Sequence, residues 1–239
     1  GRTGCSAPPW LCAAAVGSIA GMIGPLWLST WVALVATALA TLVGVPCAWL
    51  LVRRHFAGRT LLSVLVLLPL VLPPTVLGYY LLLLIGRQGP IGRVAEAIGL
   101  GRLVFTPAAA VAAAFVAALP FIVRAAQAGF EQVDTVYEEA ARTLGRSERA
   151  IFFTITLPLA WRTVLAGMAL GFARAIGEFG TTLMIAGNIP GHTQTASLAI
   201  YEAVQGFRYD LAWQGSLALS LIAGVVLWLM TRSRVRGTW

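Results

Sequence analysis

A chain of 239 residues that is 59% hydrophobic and 11% charged, with mean hydropathy +0.83, is not an ordinary soluble domain, which carries about a quarter charged residues. Its net charge of +8 comes wholly from arginine, and those arginines stand at the ends of apolar runs, so they mark membrane topology and not a nucleic-acid surface. Cys5, Cys12 and Cys47 form an odd, widely spaced set without metal-ligand pattern, and no Gly-x-x-x-x-Gly-Lys-Ser/Thr loop exists to supply ATP chemistry.

Crossing the hydrocarbon takes about 20 mostly apolar residues. Five stretches meet that need: Leu26–Val52, Leu61–Ile85, Pro107–Val123, Val164–Ala186 and Leu211–Met230. Leu11–Ile23 is shorter and glycine-rich; if it also crosses, the spans number six and the N-terminus changes side. The expected organisation is an N-terminal segment over 1–25, one all-α polytopic membrane domain over 26–232, and a tail over 233–239. Eleven arginines flank one side, among them Arg53, Arg54, Arg142 and Arg232, against five on the other, so the richer side is expected to be cytoplasmic.

Two spans read as irregular. Leu68–Pro74 puts three prolines into the second, and Pro120 is expected to break the third. In lipid such kinks are tolerated against neighbouring helices or a cavity, so they serve either packing or a translocation path. Ala108–Ala114 and the Gly167-x-x-x-Gly171 spacing offer small surfaces for close helix contact.

Between the third and fourth spans, Glu131, Asp134, Glu138, Glu139 and Glu148 hold most of the chain's acid. Val136, Ala140 and Leu144 recur every four residues, which predicts a helix with one apolar face and with Glu138, Glu139 and Arg142 on its polar side. Gly145 suits a left-handed turn at the end of that helix. Ser147 can cap a second short helix, which Pro158 is expected to stop just before the next span begins near Trp161.

Glu139, Ala140, Ala141, Gly145, Ile155, Leu157 and Pro158 resemble, gap for gap, the EAA loop of bacterial ABC importer permeases, the surface on which a cytosolic ATPase docks. Seven positions with fixed gaps between two spans make this a specific likeness. The resemblance implies a type I ABC importer permease fold, a homodimer in a bacterial inner membrane, and ATP-binding cassette subunits that grip the helix pair. In that scheme Glu139 makes a polar contact, Ala140 and Ala141 allow close approach, and Gly145 sets the turn.

Deep in the fourth span, Arg174 and Glu178 lie one helical turn apart, with Gly177 and Gly180 beside them. Charges at that depth are costly and face a bundle interior or water. The two can neutralise each other as a structural pair, or they can border a substrate path in which Arg174 meets an oxyanion. Phe172–Gly180, Ala186–Gly191, Leu67–Gly78 and Ala141–Gly145 resemble molybdate ABC permeases. That likeness implies molybdate or tungstate as cargo and an extracytoplasmic molybdate-binding protein as partner. Sulfate permeases share the Gly-Glu-aromatic-Gly and the Gly-Asn, so a sulfate or thiosulfate permease is the alternative. The external loops Arg87–Thr106 and Asn188–Asp210 are the surfaces that would receive the binding protein, the second carrying Leu198, Tyr201 and Val204 at helical spacing.

A self-contained secondary transporter would show inverted repeats and matching midplane charges, which this chain lacks. An enzyme would need a convergent constellation, yet His55 and His192 fall on opposite sides of the membrane. The expectation is therefore a permease with no catalytic residue, no metal, no cofactor and no nucleic-acid partner.

Overall fold

The computed structural model describes residues 19–235 apart from Leu100, and the regular elements among them are helices. They are α1 (Ile19–Arg53), α2 (Arg59–Val71), α3 (Pro74–Ile85), α4 (Pro90–Ala97), α5 (Pro107–Glu131), α6 (Thr135–Thr143), α7 (Glu148–Ile151), a π-helical turn (Phe152–Thr156), α8 (Leu157–Ile176), α9 (Gly180–Ala186), α10 (Ala196–Gln205) and α11 (Tyr209–Val235). Four continuous apolar helices are long enough to cross a bilayer: Gly21–Arg53, Pro107–Glu131, Glu148–Ile176 and Tyr209–Met230. Residues 11–18 of the candidate sixth span lie outside the described residues, and Ile19–Ile23 forms the first turns of α1.

The remaining span, Leu61–Ile85, is built from two shorter helices, α2 and α3, that meet at Leu72 and Pro73. Pro73 is the N-cap of α3 and Pro74 its first residue, where a missing N–H costs nothing. The fourth span is broken as well, between Ile176 and Gly180. Pro120, expected to break the third span, does not: α5 runs unbroken from Pro107 to Glu131 with Pro120 buried inside it. Neighbouring helices pack around that proline, where lipid alone would leave the freed carbonyl without a partner.

Pro158 likewise fails to stop its helix. Through the π turn, α7 continues into α8, and Leu157 donates its N–H to Phe152 O, five residues back. A proline ring clashes with the carbonyl of a normal α-turn behind it; the wider π turn removes that clash and lets the helix run on. Up to its break, the fourth span is consequently one continuous helical rod from Glu148 to Ile176.

At the centre of the bundle stands α5, packed on one side by α1 and on the other by α8. Its inner surface is mostly alanine, with Ala109, Ala110, Ala113, Ala114, Ala118 and Ala126 buried. Small side chains matter in a membrane because backbone proximity and dispersion, not the hydrophobic effect, hold helices together there. The α8 face meets α5 through Gly167 and Gly171, where an added Cβ would sit 2.6 Å from Ala125 Cβ and 2.8 Å from Ile122 Cγ1. In contrast α11 is barely covered, and turns Trp213, Leu217, Leu221 and Trp228 outward. The short helix α10 is tied to α1 by Ser29 Oγ, which accepts from Ala196 N at 2.7 Å.

Overpacking a close seam costs about 1–3 kcal/mol. Gly167→Leu is therefore expected to lower the midpoint of thermal unfolding in detergent, whereas Gly24→Leu, where an added Cβ meets open space, leaves it in place. A Gly167→Leu protein as stable as its parent would show that the α5–α8 seam does not depend on glycine.

Candidate functional site

At the arginine-rich end, residues 131–158 form a helical knob. Asp134 caps α6, its Oδ1 accepting from Val136 N at 3.0 Å. The end of α6 is a Schellman turn: Gly145 takes φ +77, its N–H reaches Arg142 O at 2.9 Å, and Arg146 N reaches Ala141 O at 3.1 Å. Only glycine takes that backbone conformation without strain. Ser147 Oγ accepts from Ala150 N at 3.4 Å and starts α7, as the sequence predicts. Across the turn Arg142 Nε donates to Glu148 Oε1 at 2.6 Å, which pins the two limbs together. That hydrogen bond also raises the Arg142 guanidinium above its ordinary pKa.

The apolar stripe of α6 is not its buried face, and of the predicted polar side Glu139 and Arg142 are exposed while Glu138 is buried. Val136 is 61% and Leu144 83% exposed, and Glu139, Ala140 and Tyr137 are exposed beside them. The buried residues are Glu138, at 2% exposure, and Ala141. Glu138 is buried because it has partners: Arg53 Nε donates to its Oε1 at 3.1 Å and Thr156 Oγ1 to the same oxygen at 2.7 Å, with Arg142 Nη2 3.8 Å from Oε2. A paired carboxylate can lie against the bundle; the unpaired apolar stripe is left to the surface. Among the other predicted knob residues, Ile155 and Leu157 are half-buried in the α7–α8 rod, and Pro158 is exposed on it.

The second cluster joins the two broken spans. Glu178 is buried in the gap between α8 and α9, where its Oε1 accepts from Thr181 N at 3.0 Å and so caps the first turn of α9. Arg174 Nη1 lies 2.5 Å from Oε2; this is a contact of charge, since that oxygen has no aligned hydrogen-bond donor. Thr181 Oγ1 in turn donates to Pro74 O at 3.2 Å, at the start of α3. A Cβ on Gly180 would stand 2.8 Å from Pro74 Cβ, and one on Gly78 would stand 2.7 Å from Met184 Cβ, so the halves meet at backbone distance. Gly177 is exposed and lines an open hollow of about 480 Å³ with Phe179, Ser197, Tyr201 and Val204. The Arg174 side chain is one-third exposed and that of Glu178 is buried, so the acid is the more deeply placed partner.

The structure therefore brings Arg174, Gly177, Glu178 and Gly180 together at one break, and it spreads the knob residues over an exposed tip and a buried root. Sequence reasoning missed Glu138, Arg53 and Thr156. A signal for Glu138 does exist: Ala141 follows at i+3 and Arg142 at i+4, a small and a basic residue on one helix face. For Arg53, 85 positions away, the local sequence carries no such signal.

A model of the family described as "Binding-protein-dependent transport system inner membrane component" matches residues 40–234. A molybdenum transport system permease protein of Azotobacter vinelandii is 40% identical over 207 residues, covering 87% of this chain and 92% of its own. The protein of that name from Escherichia coli K12 is 45% identical over 186 residues, 76% of this chain and 81% of its own. Among solved structures, a chain of the inward-facing MetNI methionine ABC transporter matches with TM-score 0.69 at 17% identity, covering 91% of this chain and 96% of that one, which is a likeness of fold alone.

Removing one partner from a buried ion pair costs about 3–5 kcal/mol, because the other charge is left uncompensated. Arg174→Ala is accordingly expected to depress thermal stability, and Glu178→Gln in the same chain to restore much of it, since the amide oxygen still accepts from Thr181 N. Full stability of Arg174→Ala alone would show that Glu178 needs no counter-charge.

Proposed function

This chain belongs to the family of binding-protein-dependent transport system inner membrane components, and we propose that it is the membrane-spanning permease subunit of an ATP-driven importer for molybdate or tungstate. In this reading two copies pair about a twofold axis in a bacterial inner membrane and enclose the path. Cytosolic ATPase subunits hold the knobs from below, and an extracytoplasmic molybdate-binding protein delivers the anion from above. The relatives, whose names specify molybdenum transport, support that cargo. The arginine bias supports placing the knob in the cytoplasm.

The observation that carries the reading is the exposed tip of α6. A soluble knob of this size has no reason to leave Val136, Tyr137 and Leu144 open to water around Glu139 and Ala140. An exposed apolar patch flanked by a carboxylate suits a cleft in a partner protein. Movement pressed on that tip crosses the Gly145 turn, which the Arg142–Glu148 pair bridges, and then passes along the continuous helix from Glu148 to Ile176 to the break at Gly177. There the partly exposed Arg174 can meet an oxyanion while Glu178 holds the guanidinium in place. The ligand-biased states are then two packings of broken spans around that break.

Reconstituted vesicles holding this chain, its ATPase and the binding protein should take up molybdate only with ATP, with tungstate competing and sulfate in excess failing to compete. Sulfate competing as well as tungstate would assign the chain to sulfate transport instead. Glu139→Arg and Leu144→Asp place a charge of the wrong sign, or a charge in the apolar contact, at the tip. Each is expected to reduce co-purification of the ATPase by roughly tenfold, the effect of about 1.4 kcal/mol of binding energy. Undiminished co-purification in both variants would remove the docking assignment.

A further inference from the structure

We infer that Arg53 and Glu138 are positioning residues for coupling: together they latch the knob to the first and third spans, so that a displacement of α6 moves the bundle and is not absorbed at its base. This rests on the importer reading but concerns a contact within the chain, on the side of α6 turned away from the exposed tip.

Four elements converge there. Arg53 is the last residue of α1, and its side chain is 13% exposed. Its Nε donates to Glu138 Oε1 at 3.1 Å, while its Nη2 donates to Phe130 O at 3.0 Å and to Val133 O at 2.9 Å. Phe130 O is one of the end carbonyls of α5, which no residue of that helix can satisfy. One planar guanidinium thus joins the end of α1 to the end of α5 and to the root of α6 with three bonds in a fixed fork, a geometry that an ammonium cannot reproduce. Thr156 Oγ1 adds the π turn by donating to the same carboxylate oxygen. The rings repeat the pattern: Phe152 of the π turn lies 5.5 Å from Trp49 of α1 and 6.0 Å from Phe130 of α5, both at T-shaped angles.

The neighbouring arginine serves the other limb. Arg54 Nη2 approaches Glu148 Oε2 at 3.6 Å, but that pair is half-exposed and screened. The buried Arg53–Glu138 contact is therefore the stiff connection between α6 and α1, and the Arg54–Glu148 contact is an accessory.

The test uses Glu138→Gln, Arg53→Gln and the double Arg53→Gln/Glu138→Gln, in complex with the ATPase and binding protein in vesicles, with uptake and ATP hydrolysis measured on the same sample. In each variant, molybdate taken up per ATP should fall about tenfold, within the range of ordinary coupling energies, while hydrolysis persists. The double variant should be no worse than the weaker single, because both changes open the same latch. It also leaves no unpaired buried charge, so it answers for a single variant that does not fold. Uptake and hydrolysis falling in proportion, or single losses that multiply in the double, would overturn the latch. Independently of transport, amide exchange in α6 of the isolated subunit should quicken about tenfold in the double variant while α5 and α8 keep their protection. Unchanged exchange in α6 would overturn the latch even if uptake fell. Wild-type vesicles without ATP-driven uptake would refute the importer reading, and the exchange result would still decide the latch.

Discussion

In hydrocarbon there is no water to receive an orphaned main-chain group or a lone charge, and that constraint governs the breaks within the spans of this protein. The breaks in the second and fourth spans lie side by side, and each supplies what the other lacks. Glu178 accepts from Thr181 N where α8 stops and α9 begins, and the Thr181 hydroxyl donates to Pro74 O where α3 begins. Arg174 then neutralises the carboxylate. Had the breaks been far apart, each would have needed its own polar partners, and the bundle has few to offer.

The same economy explains the knob. A glutamate on a short helix beside a membrane bundle is normally left in water, yet Glu138 is buried because Arg53 and Thr156 meet one of its oxygens. Once that carboxylate faces inward, helical periodicity sends Val136, Ala140 and Leu144 outward. The exposed apolar tip that suits a protein partner is thus a consequence of a buried ion pair on the opposite face. Exposed apolar stripe and buried anchor are two sides of one helix, and neither could be moved without the other.

Stiffness and freedom are distributed along the chain in a way that fits a moving part. From Ser147 to Ile176 there is no joint, since the π turn carries Pro158 through without a stop. The glycine seam with α5 holds that rod close to the centre of the bundle. That helix ends at Gly177, an exposed residue just before the polar junction of the broken spans. A push at one end of such a rod is delivered at the other.

Much of this was legible in the residues alone, because it depends on local chemistry. Apolar runs of spanning length, arginines at their ends, the gaps of the Glu139–Pro158 motif, Gly145 at a left-handed turn and Ser147 at a cap are properties of neighbours in sequence, and they specified an all-helical membrane fold with a helical knob. Whether a proline breaks a helix is not such a property: Pro73 sits at a real break, while Pro120 and Pro158 are carried through by packing and by a π turn. Nor could periodicity decide which face of α6 is buried, since it identifies two faces but not the partner waiting for each. Tertiary structure decided that by bringing Arg53 from 85 residues away to Glu138. A charge is buried or exposed according to what it meets, and what it meets is fixed only when distant segments come together.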